Sequence, residues 1–62
     1  MGTNIKIARI RKGLNQDELS ALANISRCTL SKLEKGKADP KRSVMLKLSN
    51  ILDTPVYELF FN

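Results

Sequence analysis

The chain contains no histidine and a single cysteine, Cys28. One thiol cannot close an internal disulfide, and without histidine or a second thiol there is no zinc site to staple so small a core. The same shortage argues against an enzyme: there is no histidine, no Cys paired with a base and no Gly-rich phosphate loop from which to build a catalytic centre. No apolar run approaches the roughly 18 residues that span a bilayer. Met1 to Asn4 lacks the charged and apolar regions of a signal peptide, and Lys6 stands where a myristoylation signal requires Ser or Thr. Repeats, low-complexity tracts and linkers are missing too. The expectation is a soluble cytoplasmic protein with no cofactor, metal or membrane partner, in which a free thiol is ordinary.

What is present is 62 residues, read as one domain over 1–62. A chain this short hides only about 60% of the surface exposed by its unfolded form, so packed helices, helped by a partner subunit, must supply the core. Eleven Lys and Arg against six Asp and Glu leave a formal charge of +5 and a pI near 9.8. A polyanion is the natural partner of so basic a body.

The spacing of apolar residues predicts an all-α fold, a compact bundle of five short helices. Helix 1 is expected over Asn4 to Lys12, with Asn4 as N-cap and Gly13 as terminator. Ile5 and Ala8 share its buried face. Ile7 and Ile10 do not both fit that face, so one of them is expected to be partly exposed or to cover a neighbouring element. Asn15 caps helix 2 and Glu18 completes an approximate capping box. Leu19 and Ala23 point inward, and the helix stops at Asn24, a residue tolerant of left-handed angles. Ile25 anchors a turn and Ser26 caps helix 3, which runs to about Lys35 before Gly36. Winding it at roughly 100° per residue puts Thr29, Leu30 and Leu33 on one side. Arg27, Cys28, Ser31, Lys32 and Lys35 fall on the other, with Glu34 at the boundary. Lys37 to Arg42 is a basic loop. Helix 4 begins at Lys41 or Ser43 and ends at Leu52, with a stripe of Val44, Met45, Leu48, Ile51 and Leu52. Asp53 closes it, Thr54 caps helix 5, and Pro55 takes the first helical position. Val56, Leu59 and Phe60 give helix 5 its inner face, although the last residues, LFFN, can also be read as a short strand in a dimer.

The stretch Gln16 to Gly36, QDELSALANISRCTLSKLEKG, resembles the helix-turn-helix of phage repressor, Cro/C1 and XRE-type bacterial regulators. The likeness extends over nearly the whole chain. It is carried by Leu14, Gln16, Leu19, Ile25, Ser26, Leu30 and Leu33, by the run Glu34-Lys35-Gly36-Lys37, and by Pro40 and NILDTPVYELF. Ser20 stands where alanine is usual and Asn24 where the turn glycine is usual; both substitutions fit the fold. The resemblance implies a lambda-repressor-like domain with its helix-turn-helix at helices 2 and 3. It also implies a structural ion pair between Arg9 and Glu34. If partly buried, that pair is worth on the order of 3 kcal/mol on loss of one partner. The alternative is two solvated charges worth about 0–1 kcal/mol.

By the same resemblance helix 3 reads the major groove, whose edges distinguish all four base pairs. Arg27, Cys28 and Lys32 are expected to face bases. The Arg27 fork matches guanine O6 and N7, Lys32 addresses the same acceptors as a point charge, and Cys28 meets a thymine methyl. Thr29 divides its role, methyl inward and hydroxyl toward a backbone or phosphate oxygen. Gln16 clamps phosphate with Asn15 beside it, and Lys35, Lys37, Lys41 and Arg42 stand behind as further phosphate contacts. The expected DNA-contacting set is therefore Asn15, Gln16, Ser26, Arg27, Cys28, Thr29, Ser31, Lys32, Lys35 and Lys37. The bland alternative for these cations is a solvated, solubilising face. One module reads only a few base pairs, so a homodimer on a pseudo-palindromic operator is expected, joined through the C-terminal region where Tyr57 and Phe61 remain after the core is assigned, with Leu46 also left over. The resulting expectation is a sequence-specific regulator of transcription, a repressor, with no small-molecule effector. The rival is an antitoxin-type module that neutralises a partner protein and autoregulates its operon.

Overall fold

Leucine and isoleucine recur at three- and four-residue intervals along most of the chain. In the computed structural model, which describes residues 2–61, they organise five helices: α1 (Gly2–Arg11), α2 (Gln16–Leu22), α3 (Arg27–Glu34), α4 (Arg42–Leu52) and α5 (Val56–Phe60). No strand occurs among the described residues, and no helix there is long and apolar enough to cross a membrane. Ile5, Leu19, Leu30, Leu48 and Leu59 are the largest side chains removed entirely from solvent. Each comes from a different helix, so every element is pinned by one anchor that contributes about 1.5–3 kcal/mol. α1 packs on α3 and α5, α2 on α3, and α4 on α5, within extents of 24 × 22 × 19 Å.

Side-chain chemistry sets the starts of α2 and α3. The Asn15 side chain accepts the Glu18 amide at 2.7 Å while Glu18 accepts the Asn15 amide at 3.0 Å, a complete capping box. Ser26 accepts the Thr29 amide at 3.0 Å at the start of α3. Helix ends share one device. After α1, α2, α3 and α4 the chain turns through Gly13, Asn24, Gly36 and Asp53, all at positive φ. Each is followed by an amide that reaches back to the final turn: Leu14 to Arg9, Ile25 to Ser20, Lys37 to Lys32 and Thr54 to Ser49. This is the Schellman pattern, and it satisfies carbonyls that the helix leaves without partners.

Several expectations are corrected. α1 begins at Gly2, so Asn4 lies inside the helix rather than capping it; its Nδ2 donates to the Glu58 carbonyl at 2.8 Å and ties α1 to α5. Ile7 and Ile10 are both exposed. Thr54 does not cap α5: its hydroxyl donates backward to the Leu52 carbonyl at 2.9 Å, and Pro55 is the residue before the first turn. Leu59 and Phe60 are helical, so the strand reading of the C-terminus fails there; Asn62 lies outside the described residues. Thr29 is exposed rather than inward, because its hydroxyl is held by the Ser26 hydroxyl at 2.8 Å.

Candidate nucleic-acid interface

α3 sorts its side chains sharply. Leu30 and Leu33 are buried, whereas Arg27, Cys28 and Lys32 are exposed and Ser31 is half-buried. Lys35 and Lys37 continue the exposed cationic line past the helix end. Ser26 and Thr29, joined by their hydroxyls, sit exposed at its start. The geometry follows from the sequence: leucines three apart share one side of a helix, and Lys32, between them in the chain, falls on the other.

What holds this helix in place is a buried charge cluster. Glu34, at the last turn of α3, accepts from Arg9 Nε at 2.8 Å through one carboxylate oxygen and from Arg9 Nη2 at 3.4 Å through the other. Arg9 Nη1 donates to the Leu14 carbonyl at 2.9 Å, so one guanidinium ties α1, the α1–α2 connection and α3 together. The two side chains are only 11% and 5% exposed. Glu34 is thus buried, not at the boundary of the polar face. Among the described residues no buried side-chain polar atom lacks a partner. A pair in which each guanidinium nitrogen and each carboxylate oxygen has a partner is the kind that tolerates burial.

Gln16, at the start of α2, joins the same cluster: its Nε2 donates to Glu34 Oε1 at 3.1 Å. The side chain is half-buried and its amide nitrogen carries a second proton. Asn15 spends its side-chain oxygen in the capping box. A shallow open groove above the cluster is lined by Lys6, Gln16, Ser31 and Lys35, with Arg9 and Glu34 as its floor. Lys6 is a cation of this surface whose place in the sequence marks it only as wet. The periodicity of α1 showed it to be exposed, but not which neighbour it would stand beside.

A second relationship was not legible at all. Arg27 Nη1 lies 3.5 Å from Asp17 Oδ1, and the two side chains are 63% and 70% exposed. The starts of α2 and α3 are therefore side by side, and the leading arginine of α3 faces a carboxylate. Ten positions of sequence separation give no helical spacing that could have paired them.

A polar-faced helix delivered by a shorter one across a turn at residues 23–26, with cations outward and leucines inward, defines the helix-turn-helix class. The chain belongs to the helix-turn-helix family, whose profile matches residues 5–59. It is 32% identical over 60 residues to an uncharacterized HTH-type transcriptional regulator of Archaeoglobus fulgidus, covering 97% of this chain and 86% of that one. In structure it is similar to the restriction-modification controller protein C.AhdI from Aeromonas hydrophila, with TM-score 0.85 and 32% identity over 95% of this chain and 89% of that one. It is also similar to a chain of the SinR protein/SinI protein complex, with TM-score 0.89 and 31% identity over 98% of this chain and 60% of that one. The fold and the relatives are those of transcriptional regulators rather than of enzymes.

Proposed function

We propose that this chain is a cytoplasmic, sequence-specific, double-stranded DNA-binding repressor that inserts α3 into the major groove and acts as a homodimer on a pseudo-palindromic operator. The observation that carries the reading is the partition of α3, with Leu30 and Leu33 inside and Arg27, Cys28 and Lys32 outside. Such a surface complements both components of DNA. Lysines neutralise phosphate and release counterions, while a guanidinium fork and a small apolar thiol address base edges.

In this reading Arg27 contacts guanine, Lys32 the neighbouring acceptors and Cys28 a thymine methyl. Gln16 uses its second amide proton on a phosphate, with Glu34 holding the first. Asn15, Ser26, Thr29, Ser31, Lys35 and Lys37 line the backbone contacts, and Lys6 joins them. Two copies would place their reading helices about 34 Å apart, one turn of the duplex. The likeness to a restriction-modification controller supports a regulatory role. The likeness to a chain solved as part of a protein–protein complex favours a protein partner as a second reading, the antitoxin-type module.

Selection of bound duplexes from a random pool, followed by titration of the winner, tests the proposal. A nanomolar operator with two inverted half-sites supports it; absence of duplex binding even at low salt sinks it. A co-purifying protein whose capture blocks DNA binding would favour the second reading.

A further inference from the structure

The pairing of Arg27 with Asp17 is not needed for folding, since two side chains this exposed gain little from each other in water. Nor is Asp17 required for the start of α2, because Glu18 already supplies a carboxylate to that turn and closes the capping box. It stands beside the one arginine of α3, in a chain whose charge is otherwise strongly positive. Resting on the DNA-binding reading above, we propose that Asp17 is a positioning residue for specificity, which turns Arg27 away from phosphate and toward a base edge.

The physical basis is the difference between the two acceptors that DNA offers. Phosphate is anionic, and a carboxylate 3.5 Å from the guanidinium both offsets its charge and repels an approaching phosphate oxygen. Guanine O6 and N7 are neutral acceptors, and the carboxylate sets no comparable barrier against them. The contact engages Arg27 Nη1, which leaves the edge formed by Nε and Nη2 for a two-bond contact with a base. Asp17 thereby lowers affinity for non-specific duplex while sharpening preference at one base position. Specificity of this sort is a difference of affinities, set by what the wrong acceptor meets as much as by what the right one gains.

The test compares the wild-type chain with Asp17→Asn and Asp17→Glu by selection from a random duplex pool and by titration of the selected operator and a scrambled duplex at several salt concentrations. Asp17→Asn is expected to bind scrambled DNA about 3–10-fold more tightly and to steepen the plot of log K against log salt by about one. Its preference for operator over scrambled DNA is expected to fall about tenfold, with the loss confined to the base position that Arg27→Ala also relaxes. Asp17→Glu keeps a carboxylate within reach of Arg27 and retains the preference. If Asp17→Asn tightens operator and scrambled DNA equally and selects the same sequence as wild type, the residue contributes only net charge and the assignment is overturned. Selection of no sequence by the wild-type chain would overturn the DNA-binding reading and this assignment together. A wild-type operator that Asp17→Asn leaves unchanged overturns this assignment alone.

Discussion

Glu34 shares its carboxylate between Arg9, 2.8 Å from Nε, and Gln16, 3.1 Å from Nε2, so the staple of the fold and the candidate phosphate clamp meet on one side chain. Removing the arginine leaves a buried carboxylate without its countercharge and the Leu14 carbonyl without its donor. Arg9→Ala is therefore predicted to cost about 3–5 kcal/mol. Against the roughly 3–9 kcal/mol expected for a domain of this length, that is enough to leave a large unfolded fraction. Replacing both residues by leucine removes the two charges together and is expected to recover much of the loss, since an apolar pair of similar volume is often no worse. Urea unfolding of the single and double variants checks this. A single variant within about 0.5 kcal/mol of wild type, the ordinary range for surface changes, would show that the pair is not desolvated in solution.

Base and backbone contacts should separate by mutation. Arg27→Ala is predicted to weaken operator binding by about 1–3 kcal/mol and to relax preference at one base position. Lys37, exposed beyond the end of α3, faces no base in this reading. Lys37→Ala should weaken operator and random duplex alike and flatten the salt slope by about one unit. Equal losses on both duplexes from both variants would contradict the division of roles.

Local chemistry was readable where the partners are close in sequence. Asn15 with Glu18, Ser26 before α3, and glycines at 13 and 36 are caps and stops whose partners lie within five residues, and they stand as expected. Leu19, Leu30 and Leu48 are legible as core because helical periodicity alone decides which side they share, and all three are buried. The misses have other causes. Asn4 reads as a cap in the sequence because its partner, the Glu58 carbonyl, is 54 residues away. Thr54 precedes a proline and so reads as a cap, but its hydroxyl finds a carbonyl of the previous helix first. Thr29 falls beside Leu33 on a helical wheel, yet the Ser26 hydroxyl holds its side chain at the surface. In the interface, periodicity identified which cations are exposed. It carried no information on Asp17 against Arg27 or Gln16 against Glu34, because those contacts depend on how helices cross.

The left-handed stops make a separate prediction about stability. A Cβ built on Gly36 would meet nothing within 4 Å, so the penalty of Gly36→Ala is purely one of backbone angle at φ +71. It is expected to be about 1–2 kcal/mol. The reverse change at Asp53, at φ 52 with an exposed side chain, should stabilise by up to about 1 kcal/mol, because glycine adopts that angle without strain. Asn24→Gly should help less, asparagine being already tolerant there. Thermal unfolding of the three variants orders them. A Gly36→Ala variant as stable as wild type would mean that the turn after α3 relaxes to another conformation.

Assembly is the remaining element of the proposed function, and Phe61 is the residue on which it is most easily tested. It is 70% exposed just beyond α5, with Tyr57 one turn before it also exposed. Phe61 borders an apolar groove lined by Leu33, Ala38, Pro40, Met45 and Phe60. Aromatic area of this kind contributes most when a partner covers it. If two copies join here, Phe61→Asp should convert a dimer into a monomer by sedimentation and change the monomer's stability little, because the side chain is largely wet. Loss of one tethered half-site should weaken operator binding by about a hundredfold or more, while binding to an isolated half-site is unaffected. Leu22→Ser, at another exposed apolar position on α2, serves as the control and should leave both assembly and operator affinity in place. A Phe61→Asp variant that remains dimeric would move the interface elsewhere, and a wild-type chain that sediments as a monomer on and off the operator would remove the homodimer from the proposal.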